Sequence, residues 1–336
     1  MVSDVSESKQ KYVTVFIPTL NGEQFIKEII DAILDQVLPD GYLLELLIID
    51  SGSKDRTLEI IDDYKGKLTL DQIPNIEFSH GGTRDKAARM AKGEFILFLT
   101  QDATPGSKRW LINMLEPFFL SEQVGCVFGK QVPRPNAAPT IKREVSGVFG
   151  GFGPQDAILI YQNKSFIDHK AIYPINNFFS DVNSAVRRKL LVGEVPFRKV
   201  NYAEDHALAE DMQKKGYLKA YSPSGFVWHS NEYTPRQYFG RKFDEFIGLQ
   251  ESVGAKLTAS KKSLLLGWIR PTVHDWKFIR IDKDYSMRSK LVWFIESPFY
   301  NMAAKAGQYY AARYLNSPKG RSKLSYENKI RPKNEG

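Results

Sequence analysis

Apolar residues fall along this chain in two rhythms. Residues 12–17 (YVTVFI) form a β-branched and aromatic run that stops at Pro18, which predicts a strand feeding a loop. Ile26, Ile29, Ile30, Ile33, Leu34 and Val37 then recur at the spacing of one helical face, and Pro39 with Gly41 ends the pattern. Residues 43–49 are almost wholly apolar, as a strand buried on both faces must be, and the run closes on Asp50. The cycle repeats. A helix is expected over 58–64, a short strand over 76–78, a helix over 83–91 and a strand over 94–100. This alternation predicts an α/β fold, with a mostly parallel central sheet flanked by helices and right-handed crossovers. Ligands of such sheets gather at the carboxyl ends of the strands, which singles out the loops 18–22, 50–57 and 100–105.

The rhythm breaks in the middle. Residues 132–174 are rich in Gly and Pro (RPNAAP, SGVFGGFGP) and read as long loops. Regular signals return with strands at 183–186, 218–221 and 226–228, a helix over 203–215 ended by Gly216, and a helix over 235–252. Beyond Gly254, amphipathic helices are expected at 290–294 and 300–314, with a disordered tail from Ser317. The organisation read from these signals is a flexible tail (1–11), a catalytic body (12–253), a basic helical extension (254–316) and a basic disordered tail (317–336). There are no internal repeats.

Charge sharpens this division. The 336 residues carry a net charge of +8, but residues 254–336 hold 17 Lys/Arg against 6 Asp/Glu, while the first 253 hold 30 against 33. A near-neutral body with a basic extension points to an anionic partner for the latter, and charge alone does not choose between lipid, nucleic acid and pyrophosphate. With 42% hydrophobic residues the chain is not disordered, and no apolar run approaches the roughly 20 residues of a membrane span. The start, MVSDVSESKQK, lacks the apolar core of a secretory signal, so a cytoplasmic location is expected. The single cysteine, Cys126, allows neither an internal disulfide nor a thiolate zinc cage.

Candidate chemistry sits in the strand-end loops. Neither a phosphate-binding GxxxxGK[ST] nor a strand-flanked GxGxxG is present. Asp50 ends an apolar strand, where a carboxylate is costly without a partner, and a role toward a nucleobase or ribose is favoured over a purely structural one. Ser53 and Asp55 are helix-cap candidates as much as ligands. Asp102, in TQDATP, suits Mg²⁺ or Mn²⁺, or simply a turn. Glu204 and Asp205 open a helix, where the macrodipole alone could account for them; alternatively one is a general base. His229 beside Trp228 reads first as a structural histidine, and Trp110 as core.

Taken in order, FIPTLNG, IIDSGSKDRT, HGGTRDKAA, GEFILFLTQDA, SDVNSAVRR, AEDHALAEDMQKKGY and VWHSNEYTPRQYFGRKFD resemble the family-2 glycosyltransferases of the GT-A fold, most closely their bacterial rhamnosyltransferase branch. The resemblance runs from about Val13 to Asp244. It implies a GT-A nucleotide-binding fold with a C-terminal helical extension, and an inverting, metal-assisted sugar transfer. Pro18, Thr19, Asn21, Asp50, Ser53, Gly82, Arg84, Gln101 and Asp102 would line the donor nucleotide site. Asp102 and His229 would hold a divalent metal, Mg²⁺ or Mn²⁺, and Asp205 would be the catalytic base. The implied partners are a nucleotide-sugar donor, dTDP-β-L-rhamnose foremost and a UDP-hexose next, and a lipid-linked glycan acceptor of surface-polysaccharide assembly. No nucleic acid is expected, an oligomer is possible, and the basic extension would touch the inner face of the membrane. Two departures stand out: Thr100 occupies the first acidic position of the family's DxD motif, and Asp85 stands where relatives often carry Asn. The rival readings are a sugar-phosphate nucleotidyltransferase, which should carry a glycine-rich, Arg-containing loop where PTLNGEQ stands, and a non-catalytic nucleotide-binding protein.

Overall fold

The computed structural model describes residues 10–161, 178–200, 202–230, 233–254 and 259–331. The first half alternates as its hydrophobic rhythm requires: β1 (Lys11–Thr19), α1 (Ile26–Leu34), β2 (Tyr42–Asp50), α2 (Thr57–Asp62), β3 (Thr69–Gln72), α3 (His80–Met90) and β4 (Phe95–Leu99). Then come β5 (Thr104–Pro105), α4 (Trp110–Leu120), β6 (Val124–Val132), α5 (Pro139–Gly150), β7 (Leu159–Tyr161), β8 (Asn183–Arg187), α6 (Arg188–Leu191), α7 (Glu204–Lys214) and β9 (Leu218–Trp228). Helices complete the chain: α8 (Pro235–Val253), α9 (Lys261–Leu266), α10 (Ile269–Ile281), α11 (Met287–Tyr314), α12 (Pro318–Leu324) and α13 (Glu327–Ile330).

The strands form one sheet in the order β3-β2-β1-β4-β8-β6-β9-β5, with β7 also on β9. β1 to β4 pair in parallel, and β6 and β9 run the same way, whereas β8 is inserted against both of its neighbours, β4 and β6. The two-residue period of each strand splits its side chains between two cores. Val13, Val15, Ile17, Leu97 and Leu99 face one, where α1 (Ile26, Ile29, Ile30, Ile33) and α4 (Trp110, Leu111, Met114) cover them. Phe16, Leu47, Ile49, Ile96 and Phe98 face the other, under Ala87 and Ala88 of α3 and Leu208 and Met212 of α7. Each fully buried Ile or Leu contributes roughly 1.5–3 kcal/mol, so the layers are held by burial on both faces. Trp110 is core as expected, fully buried with its indole N–H on Asn183 Oδ1 (2.9 Å).

Several local expectations fail for physical reasons. The third strand lies at Thr69–Gln72, not at 76–78. Its TLDQ sequence is an exposed edge with no apolar run, and Pro74, lacking the N–H a ladder needs, turns the chain into a 3₁₀ turn at Asn75–Glu77. The Gly/Pro-rich stretch is not all loop. α5 starts on Pro139, a residue preorganised for the first helical position, and buries Thr140, Ile141, Lys142 and Phe149; residues 162–174 of that stretch lie outside the described residues. The two short strands after residue 217 are one strand, β9, shifted in register against β6 near Gly129. The two helices beyond residue 289 are one, α11, which carries Pro298 inside it.

The tail expected to be disordered from Ser317 folds as α12 and α13, and Lys11, assigned to the flexible N-terminal tail, already belongs to β1; residues 1–9 and 332–336 lie outside the described residues. Two of the tail's cations are paired, Arg321 with Glu251 of α8 at 2.7 Å and Arg331 with Glu327 at 3.2 Å, while Lys319, Lys323 and Lys329 stay exposed. The extension before it is clamped to α5 through Asp275 of α10. That fully buried carboxylate accepts from Thr140 (2.7 Å), Arg143 (2.6 Å) and Asn301 (2.5 Å). No helix among the described residues is long and apolar enough to cross a membrane.

Candidate active site

The loops at the carboxyl ends of β1 and β2 are stitched together through Asp50. Its carboxylate, 1% exposed, accepts from the Thr19 hydroxyl (3.1 Å), the amides of Gly52 (2.9 Å) and Ser53 (3.0 Å), and the Ser53 hydroxyl (2.5 Å). Gly52 turns at φ +92°, where a side chain would be strained. Ser53 Oγ accepts from the Asn21 amide (2.8 Å), and Asn21, itself at φ 51°, accepts from the Lys54 amide (2.8 Å). A carboxylate has about four acceptor positions, so Asp50 is filled by the chain itself. In this ligand-free chain Asp50 shapes the loop in which a base or ribose is expected. Ser53 likewise bonds inward rather than capping α2, whose first turn is braced by Asp55 accepting from the Thr57 amide (3.0 Å). Pro18 lies within the β1 ladder, opposite Ile49 and one residue before its end at Thr19, and Gln101 ties the next loop in by a paired bond to the Leu20 backbone (2.7 and 3.0 Å).

Gly82 and Arg84 also serve the fold. The Gly82 amide donates to Ser79 Oγ (3.2 Å) at the α3 N-cap, so close to that oxygen that a Cβ would stand 2.5 Å from it. Arg84, 4% exposed, pairs through Nε with Asp181 (3.1 Å) and through Nη1 with Glu204 (2.9 Å), and it lines the cleft described below. This fixes the start of α7. Burial, together with the charges of Asp205 and Glu204, raises the Asp181 pKa from 3.8 to about 7, with Arg84 and the Ser184 hydroxyl pulling the other way. Sequence reasoning weighed Glu204 only as a helix-terminal acid or a general base and gave Asp181 no role, because their partner Arg84 is about a hundred positions away.

Asp102 and His229 are brought together from β4–β5 and the end of β9. Oδ2 of the acid lies 3.4 Å from Nε2 of the ring, whose Nδ1 is 3.1 Å from Gln131 Oε1. Burial favours the neutral acid, but the His229 charge and hydrogen bond prevail and lower the Asp102 pKa to about 2. The carboxylate is thus ionised at neutral pH. Among the described residues no three His, Cys, Asp or Glu side chains converge as a metal cage. A single carboxylate with one imidazole fits an ion that draws its remaining ligands from water and a diphosphate, as Mg²⁺ and Mn²⁺ do.

His229 and Asp205 line one cleft of about 340 Å³, with Thr100, Asp181, Tyr233 and Arg241. Asp205 Oδ1 accepts from the His206 amide (2.8 Å) and Oδ2 from the Asp181 amide (3.3 Å), so the carboxylate is aimed by backbone. Arg241 is the cation that sequence reasoning passed over. Burial opposes its charge, yet Tyr202, Tyr233, Glu245 and Glu327 around it raise its pKa. Its guanidinium stacks 4.8 Å above the Tyr202 ring.

Comparison with known proteins bears on the family and the fold. The chain is 32% identical to the O-antigen chain rhamnosyltransferase RfbN of Salmonella typhimurium over 235 residues, 69% of this chain and 70% of that protein. It is 34% identical to the O-antigen chain rhamnosyltransferase WbaN of Salmonella anatum over 203 residues, 60% and 61% of the two. In fold it resembles a Pyrobaculum calidifontis mannosyltransferase solved with GDP-Man and Mn²⁺, with a TM-score of 0.58 at 18% identity, covering 91% of this chain and 87% of that one. Residues 14–192 match the family described as Glycosyl transferase family 2, and with this sheet and this cleft the chain belongs to that family, a glycosyltransferase of GT-A fold.

Proposed function

We propose that the chain transfers L-rhamnose, with inversion, from dTDP-β-L-rhamnose to a hydroxyl of a lipid-linked or oligosaccharide acceptor in bacterial surface-polysaccharide synthesis. The observation that carries the chemistry is the single cleft shared by Asp205 and the His229 that touches Asp102. The donor follows from the rhamnosyltransferase names of the two Salmonella relatives. Asp205 takes the proton of the acceptor hydroxyl, whose oxygen attacks the anomeric carbon from the face opposite the diphosphate. The bond from that carbon to the diphosphate oxygen breaks, its electron pair leaves with the nucleotide, and inversion gives an α-L-rhamnoside. Asp102 and His229 would hold Mg²⁺ or Mn²⁺ at the diphosphate end. Such an ion, when bound, offsets the charge that develops on the leaving group.

Thermal shift with dTDP, UDP and GDP, each with and without Mn²⁺, tests the donor. A ligand at 100 times its Kd stabilises by about 2.7 kcal/mol. The largest shift is expected with dTDP plus Mn²⁺, and the Mn²⁺-dependent part should vanish in Asp102→Ala. A larger shift with UDP would move the donor to a UDP-hexose, and equal shifts with and without Mn²⁺ in both proteins would remove the metal role.

The extension supports contact with the inner face of the membrane. Leu291 (66% exposed), Ile295 (69%), Phe299 (55%) and Met302 (44%) lie along one face of α11, and α9 and α10, which pack against α11, carry exposed Lys261, Lys262, Arg270, Lys277 and Arg280. Basic residues near an anionic bilayer contribute about 1 kcal/mol each. The double variant Leu291→Asp/Ile295→Asp is expected to lose most flotation with phosphatidylglycerol vesicles while keeping transfer to a soluble acceptor. Unchanged flotation would free this face of any such role.

A further inference from the structure

The C-terminal segment ends against the same strand-end loops that would receive the nucleoside. It is fastened there firmly. Asp244 of α8 accepts from the amides of Tyr326 (2.8 Å) and Glu327 (2.9 Å), and the Tyr326 ring meets Tyr233 edge to face, centroids 5.7 Å apart. The approach is so close that a Cβ on Gly240 would stand 2.8 Å from the Tyr326 side chain.

From this anchor Arg331 reaches back to the sheet. Its guanidinium lies 3.4 Å above the centre of the Phe78 ring, and Nη1 donates to Ser51 Oγ (2.9 Å) and Asn75 Oδ1 (3.0 Å). Nε faces Glu327 Oε1 (3.2 Å), which also faces His80 Nε2 (3.3 Å). Ser51 directly follows Asp50, so this cation stands at the carboxyl end of β2. A cavity of about 210 Å³ adjoins it, lined by Asn75, Phe78, His80, Tyr202, Glu327 and Arg331; His80 and Tyr202 also line the catalytic cleft.

The fastening does not need this guanidinium. Asp244 and the Tyr326–Tyr233 contact already hold the segment, yet the arginine side chain is only 13% exposed and bears the cost of losing its water. A guanidinium carries five N–H donors; the Nη2 pair bonds no acceptor among the described residues. Asp50, by contrast, has no acceptor position left. A planar cation offering donors beside a strand-end pocket suits a base edge that presents a carbonyl oxygen, as thymine, uracil and guanine do and adenine does not.

We infer that Arg331, delivered by the C-terminal segment, is a nucleoside-binding residue of the donor site that favours bases with a carbonyl on the recognised edge. The inference rests on the reading that the donor nucleoside lies against the loops after β1 and β2.

The test uses the full chain with dTDP, UDP, GDP and ADP as probes, following Kd by calorimetry and KM and kcat with the donor that binds. Arg331→Met keeps the length and most of the stacking. It is expected to weaken the preferred nucleoside diphosphate about tenfold to a hundredfold, to raise KM more than it lowers kcat, and to shrink the preference over ADP. Arg331→Lys, which keeps the charge and loses the planar fork, should fall between, and it carries the test if the methionine variant folds poorly. Unchanged affinity and base preference would make Arg331 a fastener only. Tighter binding by the variant would make it a plug; either result overturns the inference. A wild-type chain that binds none of the four would overturn the donor reading itself.

Discussion

Replacing Asp205 with Asn is expected to cut turnover by about 10²–10⁴, or about 3–5 kcal/mol of transition-state stabilisation, while nucleotide affinity stays near that of the parent. The expectation rests on how the carboxylate is held. Both of its oxygens already accept from backbone amides, of His206 and Asp181, so its position is set before any substrate arrives. The amide side chain keeps the shape but cannot take a proton. Initial rates at saturating donor and acceptor, with nucleotide Kd as control, decide the matter. Turnover at the parent rate would remove Asp205 from the role of base and return it to the end of α7 as a helix-terminal acid.

The largest effect on stability is expected from Arg84→Met. The guanidinium is the cation between Asp181 and Glu204, which are 1% and 6% exposed. Removing one partner of a buried ion pair costs about 3–5 kcal/mol, because the charge left behind has neither water nor counter-ion. A typical domain has only about 5–15 kcal/mol in all. The pH dependence gives the loss a signature. The folded-state pKa of Asp181 is already raised from 3.8 to about 7, and without Arg84 it should rise further. Between those limits the folded state binds more protons than the unfolded state, so stability rises as pH falls. The variant's deficit in urea denaturation should therefore shrink from pH 8 to pH 5; a constant deficit would mean that packing, not charge, is what Arg84 supplies.

The framework of the sheet was legible in the sequence because β1, β2 and β4 are buried on both faces and so consist almost wholly of apolar residues. The short polar edge β3 gave no such signal, and α5 hid behind glycines that its packing against the extension overrides. Asp102, Asp205 and His229 were identifiable as motif positions, and folding brings His229 beside both the acid and the cleft. The role of Arg84 was not legible. Its motif position pointed to a nucleotide, and only the return of the chain at Asp181 and Glu204 reveals a buried counter-ion. The tail was misread because a run of lysines and arginines looks solvated until the acids of α8 are folded alongside, Glu251 pairing with Arg321 and Asp244 taking the amides of Tyr326 and Glu327.

Asp50 has a consequence for how donor choice can change within such a scaffold. A carboxylate whose every lone pair is engaged at home makes a stiff floor and casts no vote on which guest lies upon it. If Arg331 meets the base as inferred above, discrimination comes instead from a group that arrives later in the chain, over the top of the floor. Grafting a different C-terminal segment onto an untouched sheet becomes a practical route to a new nucleotide preference, with the load-carrying interior left as it was.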